Sequence, residues 1–217
     1  MKKHISPNYT TAIVIVHGDS EEQIVRHIKS SLRLNLYIHR RKTSIQLNGL
    51  VHELQTNFKD IRQLSKNPHI ELNIKKKEIL GFKIFTIVDT DDCTQEDKKL
   101  YINNKLFEGY NLKDYVIPIY TAPKLEHVLF KSGLIPKIYN DSEKVKEYCK
   151  IFPISREPYG VSKIDDMEKL SNKLRDNSDT NLEIFIDYCI QQAKQNKILH
   201  ESQLLMATYN LKYTTNL

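Results

Sequence analysis

The chain of 217 residues is long enough to bury about 70% of its unfolded surface, as one domain with an appendage or as two small domains. Its hydrophobic content of 40%, with twelve Tyr and seven Phe, excludes a disordered chain, and it lacks an apolar stretch of about 18 residues that could span a membrane. Three widely spaced cysteines, Cys93, Cys149 and Cys189, exclude a disulfide scaffold and a close-set zinc framework. We expect a soluble, cytoplasmic protein with reduced thiols.

The charge balance is basic, because 33 Lys and Arg against 27 Asp and Glu give a net charge of +6. Such a balance attracts polyanions, but a chain rich in Lys, Asn and Ile also reaches a high pI without a functional cause. The clearest basic run is Arg40, Arg41 and Lys42. It is either a solvated turn or part of a track for nucleic-acid phosphates.

The first half of the chain begins with a strand–turn–helix pattern. Residues 11–16 form an unbroken apolar run typical of a strand buried on both faces, and a helix with two acids in its first turn begins at Ser20. Residues 36–39 are a candidate second strand. Apolar residues at helical spacing then predict one long amphipathic helix over residues 44–64.

The alternation of strands and helices continues along the chain. Residues 82–88 predict a second central strand, and residues 115–120 predict a strand at a sheet edge, because Pro118 cannot donate to a ladder. A helix is predicted over residues 95–107, and another is predicted to start with residues 125–130. This order favours an α/β fold, with a mainly parallel sheet flanked by helices.

The strand patterns end at about residue 153, and only helical patterns follow. We therefore predict an α/β domain over residues 1–153 and a helical C-terminal extension over residues 154–217. The Pro- and Gly-containing segment 155–161 is the best candidate for a linker.

Chemically reactive side chains follow both central strands. His17 to Glu22 form the turn after the first strand, and Asp89, Asp91 and Asp92 follow the second. Function in open α/β sheets collects beyond the carboxyl ends of the strands. Alternate acids at such an exit are suited to Mg²⁺, which takes one or two carboxylates and fills its other positions with water and phosphate oxygens.

Two blocks of the sequence resemble the Toprim domain, the metal-binding module of topoisomerases, primases and several nucleases. They are Val-Ile-Val-His-Gly-Asp-Ser-Glu-Glu, residues 14–22, and Phe-Thr-Ile-Val-Asp-Thr-Asp-Asp, residues 85–92. In this alignment Gly18 matches the motif glycine, Glu22 the helix-opening acid, and Asp89 and Asp91 the paired aspartates. A third stretch, residues 120–129, is similar to a segment of RloB-like proteins, in which Glu126 would be the acid that follows a proline.

The sequence departs from the Toprim pattern at His17, where the family has its motif glutamate. Either His17 serves as base, acid or metal ligand, or the site is impaired. Structural interpretations also stay open for the acids. Glu22 and Glu126 are ordinary first-turn residues of a helix, and Asp91 is a suitable helix cap, whereas Asp89 directly follows an apolar strand.

The resemblance implies a Toprim-fold nuclease that hydrolyses DNA or RNA with Mg²⁺ or Mn²⁺, akin to the RloB-like and overcoming-lysogenization-defect branches that act in phage defence. Glu22, Asp89 and Asp91 would hold the metal, with His17 and Glu126 as candidates for proton transfer. The alternative is an impaired Toprim domain that binds nucleic acid or regulates a defence complex. A protein partner or a second copy of the chain would then complete the assembly.

Overall fold

A computed structural model describes residues 9–42, 44–155 and 163–214, with side chains as far as residue 199 except that of Asp141. The predicted fold class is confirmed. Four parallel strands form one sheet with helices on both faces, consistent with a Toprim-like fold. These strands are β1 (Ala12–Val16), β2 (Leu36–His39), β5 (Lys83–Asp89) and β6 (Val116–Thr121). A two-stranded hairpin, β3 (Ile74–Lys75) and β4 (Glu78–Ile79), lies outside this sheet.

The order of the sheet is β2-β1-β5-β6, so that β1 pairs with β2 on one side and with β5 on the other. The chain thus passes from β1 to β2 on one side, and later to β5 and then β6 on the other side. This reversal is a topological switch point, where the loops beyond the carboxyl ends of the two central strands diverge and leave a crevice. β6, which contains Pro118, is an edge strand, as its proline predicts.

Two hydrophobic clusters cover the two faces of the sheet, and β1 contributes residues to both. Val14 and Val16 face one cluster, whereas Ile13 and Ile15 face the other. All five residues of β1 are fully buried, which explains its unbroken apolar sequence. Fixed packing on both sides gives the carboxyl end of β1 a rigid position.

The face that contains Val14 is covered by α1 (Asp19–Leu32), α5 (Leu125–Lys131), α6 (Asp141–Ile151), α7 (Ile164–Arg175) and α8 (Leu182–Thr214). The prediction of helices near the C-terminus agrees with α7 and α8, whose buried residues share the core with β1 and β5. α6 was not predicted, although the Asn140 side chain caps it by accepting a bond from the Glu143 N–H at 3.0 Å. Of the predicted linker, only Ser155 lies within the described residues.

The other face is covered by α2 (Leu47–Asn57), α3 (Ile61–Leu64) and α4 (Gln95–Ile102). The prediction of a single helix over residues 44–64 was wrong, because the structure has two helices there, α2 and α3. Asp60 separates them, because its side chain accepts the Gln63 N–H at 2.8 Å and starts a new helix. The helix predicted over residues 95–107 likewise ends early, since Asn104 adopts a left-handed conformation before a short 3₁₀ turn.

Among the helices of the described residues, none combines the length and the apolar character needed to cross a membrane.

Candidate functional site

Asp89 marks the end of the central strand β5 at the switch point. Its side chain is only 7% exposed, and its Oδ1 accepts hydrogen bonds from the Thr121 hydroxyl at 2.5 Å and from the Leu125 N–H at 3.0 Å. Within the described chain Oδ2 makes no hydrogen bond. Burial raises the pKa of Asp89, and the charge of Glu126 adds to the rise, while the Thr121 bond and the nearby His17 oppose it. The Asp89 carboxyl group therefore has a fixed orientation, and its Oδ2 is available to a ligand.

Glu21 is the second acid of the site, and it lies in the first turn of α1 just beyond β1. It is 3% exposed, and a Cβ added at Gly18 would lie 3.3 Å from its Oε2, so a residue without a side chain suits this position. Burial, reinforced by the charges of Asp89 and Glu126, raises the pKa of Glu21 to about 8. A buried carboxyl with this pKa is protonated at neutral pH unless a cation arrives.

Glu126, in the first turn of α5, completes the group and is 5% exposed. Its Oε1 accepts a hydrogen bond from the Ser20 hydroxyl at 3.3 Å and forms an ion pair with the Lys144 ammonium of α6. Burial by itself would raise the pKa of Glu126, but the Lys144 contact outweighs it and lowers the pKa. Lys144 was not predicted as a site residue, because the helix α6 that places it beside Glu126 was not predicted.

His17 follows β1 directly and is bonded to the neighbouring strand β5. Its backbone N–H donates to the Ile87 carbonyl at 3.0 Å, and its Nδ1 lies 3.0 Å from the Ile45 carbonyl oxygen. Since a carbonyl can only accept, Nδ1 carries the proton of this bond. In the neutral ring Nε2 is then the acceptor atom, which is the form required of a base or a metal ligand.

The structure does not bring together the three predicted metal ligands, Glu22, Asp89 and Asp91. The Glu22 carboxylate is held by Arg26 at 2.6 Å and by Arg40 at 3.1 Å, and Asp91 pairs with Lys124 at 3.0 Å. Burial would raise the pKa of Glu22, but the hydrogen bonds from the two arginines lower it. The helix-opening acid next to Asp89 is Glu21, one residue before the one that the alignment selected.

The predicted basic segment follows β2 near the first turn of α1. Arg40 forms ion pairs with Asp19 and Glu22, and Arg41 pairs with the buried Glu53 at 3.3 Å. Lys42 is exposed. Two of the three predicted nucleic-acid contacts are thus already partly neutralised by acids of the chain.

The predicted Mg²⁺ can be tested against these side chains. Across the residues that the structure describes, no three His, Cys, Asp or Glu side chains are grouped closely enough to hold a metal ion. Mg²⁺, however, often uses only one or two protein carboxylates, with water and phosphate oxygens elsewhere. Glu21 and Asp89 fit this need, because they are buried oxygen donors whose mutual repulsion a divalent cation would relieve.

We compared the chain with protein-family models, with curated proteins and with solved structures, and none of them matched. The Toprim resemblance of the sequence stays a prediction.

Proposed function

We propose that the protein is a Mg²⁺- or Mn²⁺-dependent nuclease that hydrolyses phosphodiester bonds of DNA or RNA. The observation that carries the proposal is the group of three buried carboxyls, Glu21, Asp89 and Glu126, beside the switch point of a basic α/β protein. Burying like charges is costly, and proteins accept that cost mainly at functional sites. The sequence resemblance adds phage defence as the biological setting.

In this proposal Glu21 and Asp89 hold the metal. The chemistry that Mg²⁺ supplies when bound is polarisation of a phosphate oxygen and a lowered pKa for water. Thr121 and the Leu125 N–H keep the Asp89 carboxylate in one orientation, so that its Oδ2 is the ligand atom. His17 holds its ring by the bond to Ile45 and presents Nε2 as the acceptor for a proton.

Glu126 and Lys144 have a different part in the proposal. Their ion pair is largely shielded from solvent and lies within electrostatic range of Glu21. Because Lys144 neutralises Glu126, the site holds two carboxylates for a metal and one internal cation to face the substrate phosphate. A cation fixed in that position stabilises the charge that develops on the phosphate during hydrolysis.

A cleavage assay tests this function. Purified protein is incubated with Mg²⁺ or Mn²⁺ and with single-stranded DNA, double-stranded DNA or structured RNA. We expect cleavage of at least one substrate that EDTA stops and that Asp89→Asn removes. Absence of any metal-dependent cleavage that is sensitive to this substitution would contradict the proposal.

A second function is favoured by one observation, the paired state of the Glu126 carboxylate. Lys144 already supplies a positive charge at the acid group, as a metal would, and this arrangement suits a domain that binds nucleic acid without cleaving it. The assay separates the two functions: binding that persists with no cleavage under any metal favours the binding domain.

A further inference from the structure

A cavity of about 150 Å³ lies between α1 and α6, next to the acid group. Ser20 and Gln23 line it from α1, and Lys144 and Tyr148 line it from α6. Gln23 also joins the two helices, because its Nε2 donates to the Phe152 carbonyl at 2.7 Å. This bond ties α1 to the C-terminal end of α6, and the cavity volume is sufficient for a phosphate group with a water molecule.

The Tyr148 hydroxyl is the unexplained group of this cavity. Tyr148 is 1% exposed, and its hydroxyl oxygen is buried without a hydrogen-bond partner in the described part of the chain. Such an unmet buried hydroxyl costs about 1–3 kcal/mol in general. Burial raises the pKa of Tyr148, and the charges of Glu126, Glu21 and Asp89 add to the rise, so the group keeps its proton and acts as a donor. The Tyr148 hydroxyl therefore has a proton to donate and no acceptor among the described residues.

The other charged groups of the cavity leave donors unused. Lys144 has three N–H groups, and its ion pair with Glu126 occupies only part of them. Arg26 lines the same cavity and pairs with Glu22, which is also in the wall. Asp19, the other acid of the wall, is held by Arg40. Asp19 and Glu22, the two acids of the cavity wall, are thus both paired with cations, which leaves the remaining donors of Lys144 and the Tyr148 hydroxyl for an oxyanion.

We propose that this cavity binds a phosphate group of the nucleic-acid substrate, with the Tyr148 hydroxyl and the Lys144 ammonium as its donors. The inference rests on the proposed nuclease function and adds to it the Tyr148 hydroxyl as a second substrate contact beside Lys144. Lys144 and Tyr148 are four residues apart on α6 and so project from the same face of the helix toward one ligand.

Binding to the full-length protein in EDTA tests the site without any metal. The probes are inorganic phosphate and a short oligonucleotide with either a 5′-phosphate or a 5′-hydroxyl, and the readouts are calorimetric affinity and melting temperature. We expect Tyr148→Phe to weaken phosphate binding about tenfold or more, because a hydrogen bond to a charged group is lost. Its melting temperature without ligand should equal or exceed that of the wild type, since the unmet hydroxyl is gone.

Tyr37→Phe is the matched control, because Tyr37 packs against the core on the opposite face of the sheet. It should bind phosphate as the wild type does. A preference for the 5′-phosphorylated oligonucleotide that Tyr148→Phe removes would identify a terminal phosphate, and equal loss for both oligonucleotides would identify a backbone phosphate.

Unchanged phosphate affinity in Tyr148→Phe, or no phosphate binding by the wild type, would overturn the site. If metal-dependent cleavage occurs in that case, the nuclease proposal stands without this contact. If Tyr148→Phe abolishes phosphate binding but the wild type cleaves nothing, the anion site stands and the nuclease proposal fails.

Discussion

Glu21 and Glu22 are neighbours in α1, but their carboxyl groups lie in opposite environments. Glu21 is buried beside Asp89 and has a raised pKa, whereas Glu22 is paired with Arg26 and Arg40 and has a lowered pKa. Successive residues of a helix point about 100° apart, which is enough to separate the interior from the surface. The two residues therefore provide matched positions for testing the site.

The raised pKa of Glu21 predicts a pH dependence of stability. The folded state holds the proton up to about pH 8, whereas the unfolded carboxyl releases it near pH 4.5. Stability should therefore fall as the pH rises from about 4.5 to 8, because the folded state binds more protons than the unfolded state over that range. Urea unfolding between pH 5 and pH 9 measures this slope, which should be shallower in Glu21→Gln.

The control for this slope is Glu22→Gln. Burial would raise the pKa of Glu22, but the contacts with Arg26 and Arg40 lower it, so its own contribution to the pH dependence appears only in acid. An equal pH slope in wild type and Glu21→Gln would show that Glu21 is not the buried acid that the structure describes.

Asp89→Asn should lower metal-dependent cleavage by at least about a hundredfold, because several kcal/mol of charge stabilisation depend on the metal. Asparagine keeps the shape of the side chain and an oxygen for the bonds from Thr121 and Leu125, so the fold should survive. Nucleic-acid binding in EDTA should change little. Asp91→Asn, which breaks only the Lys124 pair, is the control and should retain cleavage. Equal activity of the two variants would reject Asp89 as a ligand.

His17→Ala should reduce cleavage by about 10²-fold or more, as is typical for the loss of a general base. His127→Ala is the matched control, because His127 is exposed on α5. Full activity in His17→Ala would restrict His17 to its structural bond with Ile45.

Salt dependence tests the basic segment. If Lys42 contacts a phosphate, Lys42→Ala should reduce the slope of log K against log salt by about 0.9 for duplex DNA. Arg40→Ala and Arg41→Ala should change the slope less, because both side chains are paired with acids of the chain. Lys76→Ala, in the turn of the β3–β4 hairpin, is the control. Unchanged slopes for all three variants of the segment would assign it to solubility.

Much of the fold could be predicted from hydrophobic patterns. The apolar runs of β1 and β5 are buried on both faces, and their parallel pairing follows from the helices between them. The break before α3 and the start of α6 depend on single capping side chains, Asp60 and Asn140, which a periodicity argument does not include.

Part of the group around Asp89 could be named from the sequence. His17 and Asp89 were selected because they follow strands, and Glu126 because its segment is similar to RloB-like proteins; in the structure the charges of His17 and Glu126 both act on Asp89. Glu21 was passed over for Glu22, although the spacing of residues 21, 24, 25, 28 and 32 puts Glu21 on the buried stripe of α1. Lys144 and Tyr148 are distant in sequence from every motif, and only tertiary packing brings α6 to α1.

The central claim, that Glu21 and Asp89 form a divalent-metal site, is tested most directly by metal-dependent thermal melting of Glu21→Gln and Glu22→Gln. Mg²⁺ and Mn²⁺ bind only the folded site, so they should raise the melting temperature of the wild type and of Glu22→Gln in proportion to the logarithm of metal concentration. In Glu21→Gln the rise should be lost, while the metal-free melting temperature at pH 8 stays equal or higher. A metal-induced rise that persists in Glu21→Gln and disappears in Glu22→Gln would contradict the site described here.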